Sequence, residues 1–172
     1  EMTREQRLKE LEMAKQRTLE YIYYIQTELG YKHLGLADDE FPTEDKLALV
    51  PYHREGRRLK GNARLTINNV TDIYGGMPLY RTGVSVGDYP VDHHHDCNPE
   101  APKIKFPPVP SFNIPAGALI PESTDGLIVS DKAISVSNLI NGSTRLQPVV
   151  MLTGHAAGVL AALWVKENTQ PR

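Results

Sequence analysis

The residues best suited to chemistry lie in the last third of this 172-residue chain, where the run from Asn141 to Gly158 predicts a polar loop that turns into a helix. A helix tolerates proline only in its first turn, so Pro148 predicts a helix that starts near Leu146 to Pro148. Ser143 or Thr144 could cap this helix, and Gln147 stands three residues after Thr144, in capping-box spacing.

The same predicted helix carries a face of small residues, with Gly154, Gly158 and Ala162 at intervals of four. Glycine in a helix interior costs roughly 1 kcal/mol relative to alanine. Two glycines on one face therefore suggest that another group approaches the backbone closely. A buried helix packed tightly on a sheet explains the same pattern.

Arg145 stands just before the predicted helix start. The free N–H groups of a helix N-terminus, together with a guanidinium group, would stabilise an anion or a ring that gains negative charge. The structural alternative is an ion pair between Arg145 and an acidic residue of a domain that this chain does not contain.

Three adjacent histidines, His93 to His95, are flanked by Asp92, Asp96 and Cys97. Neighbouring residues on a strand face opposite sides, and the sequence has no second His/Cys cluster to complete a coordination sphere. We therefore predict no metal site. Proton transfer near neutral pH is the better chemical role for one of these histidines.

A basic segment, Arg54 to Lys60, is a strand candidate. Its charges are typical of a solvated edge strand that is protected from aggregation. The functional alternative is that one arginine, Arg54 or Arg57, faces an active site.

The net charge of −2 gives no reason to expect a nucleic-acid partner. The sequence predicts no membrane span and no signal peptide. A single cysteine excludes an internal disulfide and a cysteine metal cage.

The strongest helix signal is an apolar stripe from Thr3 to Leu29, which Thr3 and Gln6 open in capping-box spacing. The later strand signals are shorter and predict a small mixed sheet against which this helix packs: Val84 to Val91, Ile114 to Ile120 and Gly126 to Val129.

Leu127 to Gly158 resembles the C-terminal flavin-binding segment of FAD-dependent oxidoreductases, and most closely a bacterial branch often labelled xanthan lyase. Three upstream blocks are similar to other blocks of that family, in the family's order: Pro51 to Gly61, Gly87 to His93 and Ile114 to Pro121. The resemblance extends over Pro51 to Lys166.

The resemblance implies site residues. Its Tyr-Pro-x-Asp-x-His block nominates Asp92, His93 and His94 for catalysis, with Arg54 as a further candidate. The cofactor-binding candidates are Asp131, Gly142, Ser143, Thr144, Arg145, Gln147 and Gly154.

One pair departs from the family pattern. Relatives usually have Gly-Arg where this chain has Asp131 and Lys132. Asp131 could accept hydrogen bonds from ribityl hydroxyls, whereas Lys132 keeps the charge of arginine without its planar fork.

The family's opening glycine turn, G-x-G-x-x-G, is absent from the sequence. We therefore expect an α+β fragment of a larger α/β flavoprotein, whose C-terminal helix completes a Rossmann-like FAD domain. We expect three divisions: an N-terminal helix and loop at residues 1–50, a substrate-domain portion at 51–115, and the C-terminal closing segment of the FAD-binding domain at 116–172. FAD would belong to the parent protein, with an N-terminal FAD-binding half as partner, and this chain alone would hold no FAD tightly.

The expected activity of the parent is hydride transfer between an organic, carbohydrate-related substrate and the flavin. The first alternative is a polysaccharide lyase, in which a histidine takes a proton and an arginine neutralises a carboxylate. The second is a non-catalytic domain.

Overall fold

The computed structural model describes residues 2–54, 56–71, 82–93, 99–100, 103 and 105–171. The chain forms two compact units, Glu1–His53 and Arg54–Arg172. Helices together with a small two-stranded sheet give the fold α+β character, as the sequence predicts.

The N-terminal unit is built on helix α1, Arg4–Thr27, which confirms the long helix predicted from the apolar stripe. The capping box is present: the Gln6 N–H donates to Thr3 Oγ1 at 3.2 Å, and the Thr3 N–H donates to Gln6 Oε1 at 2.8 Å. Gly30 follows the helix end with φ of 76°, a conformation that glycine adopts without strain.

Within this unit, Leu8 and Leu11 of α1 line a groove of about 480 Å³ together with Phe41 and Leu47. Lys15 of α1 pairs with Asp45 of the loop that follows. Hydrogen bonds from Lys15 and from the Leu47 N–H hold the pKa of the Asp45 carboxyl below its ordinary value. The loop is thus tied to the helix by charge as well as by apolar contact.

Removal of the cap tests how much α1 depends on it. Thr3→Ala should destabilise the first turn by about 1 kcal/mol, because the hydroxyl that accepts from Gln6 is lost. Faster amide exchange at residues 5–7 would show this. Thr18→Ala is the control, because Thr18 lies inside the helix and its hydroxyl only donates back to Ala14 O. Equal exchange in both variants would contradict the role of the cap.

The sheet of the C-terminal unit pairs β1, Gly83–Gly87, with β2, Phe112–Pro115, in antiparallel register with Val86 opposite Asn113. The predicted mixed sheet is therefore wrong for the described residues, whose named strands are these two. β2 ends early because Pro115 leads into a 3-10 turn, Ala116–Ala118. The segment predicted as a strand from Gly126 to Val129 is irregular, although the Val129 N–H donates to Leu119 O at 2.8 Å.

The core of this unit lies where β2, the 3-10 turn and two short helices meet. These helices are α2, Ile67–Thr71, and α3, Asn138–Thr144. The buried apolar side chains are Leu65, Val70, Phe112, Ile114, Ala118, Leu119, Ile134, Val136, Ile140 and Val149. The core is thus made mainly by short segments that are distant in sequence.

Helix α4, Gln147–Glu167, confirms the predicted C-terminal helix and has Pro148 in its first turn. The predicted polar loop and side-chain cap before α4 are wrong: residues up to Thr144 belong to α3, and Leu146 occupies the N-cap position. Only Val149 and Thr153 of α4 are buried. By length and composition alone, α4 is apolar enough to cross a membrane, as core helices of water-soluble proteins also are.

Candidate functional site

Arg145 is buried between α3 and α4, with only 4% of its side chain exposed. Its Nη2 donates to the backbone carbonyl of Asp92 and lies 3.6 Å from Asp92 Oδ2. A buried cation is strongly unfavourable without such partners. The acid next to Arg145 is therefore Asp92 of the same unit, so the expected partner on another domain is wrong.

Gly142 explains how the Asp92 backbone comes so near. A Cβ atom at Gly142 would lie 2.7 Å from Asp92 O and 2.9 Å from Asp92 N. Only glycine leaves room for this approach of main chain to helix.

His93 fixes the same segment to the first turn of α3. Its Nε2 lies 2.9 Å from Asn138 O and 3.2 Å from Leu139 O. Both carbonyls can only accept, so Nε2 carries a proton and donates. The ring also packs against Phe106, with centroids 5.7 Å apart. Any base role for His93 would have to use Nδ1, which is buried.

Asp92, His93, Gly142 and Arg145 thus form one cluster, which we call the Asp92–Arg145 clamp. The structure brings together four of the predicted site residues, and it does so through backbone contacts as much as through side chains. The clamp ties the Tyr-Pro-x-Asp-x-His block to the segment between α3 and α4.

The remaining candidates lie apart from the clamp or beneath the surface. Arg54, Asp131, Gln147 and Gly154 are exposed, whereas Ser143 and Thr144 are buried in α3. The Thr144 hydroxyl donates back to Asn141 O at 3.4 Å. His94 lies outside the described residues.

Asp131 is the first residue of a 3-10 turn, Asp131–Ala133, and adopts a left-handed conformation with φ of 63°. Among non-glycine residues, aspartate and asparagine tolerate this region best. The carboxylate is exposed and therefore open to a ligand.

Two buried polar side chains of α3 flank Gly142. The amide of Asn141 and the hydroxyl of Ser143 have no hydrogen-bond partner among the described residues. Each such group costs about 1–3 kcal/mol when left unsatisfied. The sequence nominated Ser143 and missed Asn141. The available signal was Ser137, which caps α3 by accepting from the Ile140 N–H and places Asn141 on the next turn.

The N-terminus of α4 is the electropositive element of the site. No side chain caps it, and its first turn contains no acidic residue. The first N–H groups of a helix have no acceptor within the helix, and the helix dipole makes this end positive. Exposed Gln147 can therefore face an electron-rich ligand, and the buried Arg145 stands two residues before it in the chain.

The glycines of α4 face open space. A Cβ atom built at Gly154 or Gly158 would meet nothing within 4 Å. The close approach that the sequence predicts at these glycines is not made by the described residues, whereas Gly142 does receive one.

An uncapped helix start backed by a buried arginine, with unsatisfied polar groups nearby, is typical of a cofactor-binding segment. The comparison with protein families agrees with this class. The FAD dependent oxidoreductase family model matches residues 1–172, and the chain belongs to that family. No curated protein and no solved structure matches the chain.

Membership implies FAD as the cofactor of the whole protein and a general flavin oxidoreductase role. The exposed N-terminus of α4 has the polarity to support an electron-rich group such as a flavin ring. Gly142 to Arg145 are buried and do not form an exposed part of that surface.

The contrast between two glycines gives a stability prediction. Gly142→Ala should destabilise the chain by roughly 1–3 kcal/mol, because the added Cβ overlaps the Asp92 backbone. Gly158→Ala should stabilise it by up to about 1 kcal/mol, because alanine favours the helix and meets no neighbour. Urea unfolding of both variants measures the difference. A stability loss in Gly158→Ala equal to that in Gly142→Ala would contradict the packing described here.

Proposed function

We propose that this chain supplies the closing segment of the flavin site in an FAD-dependent oxidoreductase, with the N-terminus of α4 against the pyrimidine edge of the ring. The observation that carries the proposal is the uncapped start of α4, two residues after the buried Arg145, whose guanidinium contacts Asp92. When bound, FAD supplies the acceptance and release of a hydride. The organic substrate, of which a carbohydrate is one candidate, would lie on the other side of the ring from this support.

In this proposal Arg145 acts by charge and position. Its guanidinium is oriented by the Asp92 carbonyl, and the Asp92 carboxylate at 3.6 Å offsets part of its positive charge. The field at the start of α4 is therefore set by both residues. Arg145 is a positioning residue because its Nη2 is already occupied by Asp92.

Two parts of the proposed flavin site are not provided by this chain: binding of the FAD pyrophosphate and packing on the glycine face of α4. The sequence of the chain has no glycine turn for the FAD pyrophosphate. None of the described residues lies within 4 Å of a Cβ placed at Gly154 or Gly158, so this helix face can accept a packing partner. We propose that an N-terminal FAD-binding half performs both tasks, and that α4 packs against its sheet to complete a Rossmann-like domain.

The lyase alternative draws no support from the described geometry. A lyase needs a histidine base that can reach a substrate proton. His93 has Nε2 committed to the carbonyls of α3 and Nδ1 buried. Arg54 is exposed and does not belong to the clamp.

Opposite charge changes in the clamp test the electrostatic role. In the flavin-loaded whole protein, Arg145→Gln should lower the flavin midpoint potential, because positive charge behind the α4 N-terminus is lost. Asp92→Asn should raise it, because the offsetting carboxylate is lost while the backbone carbonyl remains. Tens of millivolts is the expected scale, since about 30 mV corresponds to 1.4 kcal/mol for a two-electron couple.

Arg145→Lys is the matched control, because it keeps the charge and loses the planar fork. Its potential should stay near that of the wild type. Thermal unfolding of each variant separates a change in field from a loss of fold. Shifts of the same sign in Arg145→Gln and Asp92→Asn would overturn the electrostatic role.

The open glycine face generates a second test of the same proposal. In the whole protein, Gly158→Ala should reduce the fraction of molecules that retain FAD, because a methyl group would hold the partner sheet away from α4. In this chain alone, the same change should be stabilising. Val165→Ala serves as control on the same helix, because it is an exposed residue without a small-residue role. Full FAD retention in Gly158→Ala would exclude this face as the interface.

A further inference from the structure

The C-terminal unit contains a basic cleft that the flavin site does not use. It has a volume of about 710 Å³, within the range of small-molecule sites. Four cationic side chains and one carboxylate line it: Arg57, Arg58, Lys60, Arg64 and Glu122. The basic segment that the sequence could assign only to an edge strand or an active site thus forms one wall of a cavity.

The wall is held by backbone hydrogen bonds on two sides. The Leu59 N–H donates to Ala133 O at 2.8 Å, and the Glu122 N–H donates to Lys60 O at 3.0 Å. Further along, the Asn62 N–H donates to Ile120 O at 2.9 Å. Exposure alternates from residue 60 to residue 65, with the even-numbered side chains outward. The cations are therefore carried on a fixed backbone rather than on a free loop.

Gly61 permits the close packing of this wall. A Cβ there would lie 2.7 Å from Gly117 O and 2.8 Å from Ser135 Cβ. Ser135 also lines the cleft and is 1% exposed. Its hydroxyl is buried and has no hydrogen-bond partner among the described residues. The cleft thus contains a polar group without a protein partner as well as an excess of positive charge.

The cleft is lined by more positive than negative side chains. Lys60 pairs with Glu122 at 2.7 Å. Among the described residues, Arg57, Arg58 and Arg64 have no carboxylate within ion-pair distance, and Arg58 is partly buried. Guanidinium groups bind carboxylates and phosphates through two parallel hydrogen bonds, which gives them geometric selectivity for such oxyanions.

We propose that this cleft binds a small ligand that carries two or more oxyanion groups, either phosphates or carboxylates. The arginines bind the oxyanions, and Glu122 limits affinity by occupying Lys60 and by repelling the ligand. The site needs neither flavin nor the Asp92–Arg145 clamp, so its test is independent of the proposed flavin role.

Pyrophosphate and citrate are the probes, titrated separately into the full 172-residue chain by calorimetry at low ionic strength. Arg58→Gln and Arg64→Gln should each weaken binding by about tenfold, because each removes a charge-assisted contact. Arg17→Gln, which removes a guanidinium from α1, should leave affinity unchanged. The probe that binds more tightly shows whether the oxyanion groups of the ligand are phosphates or carboxylates.

A variant that gains affinity for the probes is a sharper test than one that loses it. Glu122→Gln should tighten binding several-fold, because it frees Lys60 and removes the only carboxylate that lines the cleft among the described residues. Glu167→Gln removes the same charge from the pair at the end of α4, where Lys166 lies 3.8 Å away. Glu167→Gln should leave the affinity for both probes unchanged.

Side-chain Nε signals of labelled arginine in the wild type provide a readout that needs no variant. Pyrophosphate or citrate should shift the signals of Arg58 and Arg64 and leave that of Arg17 in place. Absence of binding by both probes would overturn the proposal. Equal losses in Arg17→Gln and Arg58→Gln, or equal gains in Glu167→Gln and Glu122→Gln, would overturn it as well.

Discussion

The contact between the Asp92 backbone and Gly142 is the constraint on which the C-terminal unit depends. It places a carbonyl where the Arg145 guanidinium can use it, and it brings His93 over the carbonyls at the start of α3. The Arg145 contact is the costly one to lose, because it would leave a buried arginine without its acceptor. The junction between α3 and α4 is therefore defined by a segment some fifty positions earlier in the chain.

The position of this junction links fold to chemistry. Arg145 is the C-cap of α3 and stands two residues before α4. It lies near the negative end of one helix and the positive end of another. Its charge can stabilise the end of α3 structurally while adding to the field at the start of α4. A single side chain thus contributes to stability and to the electrostatics of the proposed flavin edge.

The sequence predicted the elements whose signals are local. The capping box of Thr3 and Gln6 marks the start of α1, and Pro148 marks the start of α4, because both signals act within one helical turn. The sequence prediction failed where a tertiary contact determines the local structure. Gly142 inside α3 favoured a loop by propensity, but the glycine is needed for the approach of Asp92.

The sequence identified some residues of the candidate site but not how they contact one another. The resemblance nominated Asp92 and His93, and the helix-start pattern nominated Arg145. Their mutual contacts follow from folding rather than from spacing. Asn141 escaped notice because a buried amide has no signature in sequence. The basic cleft was also not foreseen, since its lining combines Arg58 with Glu122 and Ser135 from distant segments.

The left-handed backbone at Asp131 has a consequence for how such a chain diverges. The resemblance places glycine at this position in relatives, and a φ of 63° is accessible to glycine, asparagine and aspartate with little strain. An exchange among these three leaves the path of the backbone unchanged. Mutation can therefore add or remove a carboxylate at this exposed position while the architecture is inherited unchanged.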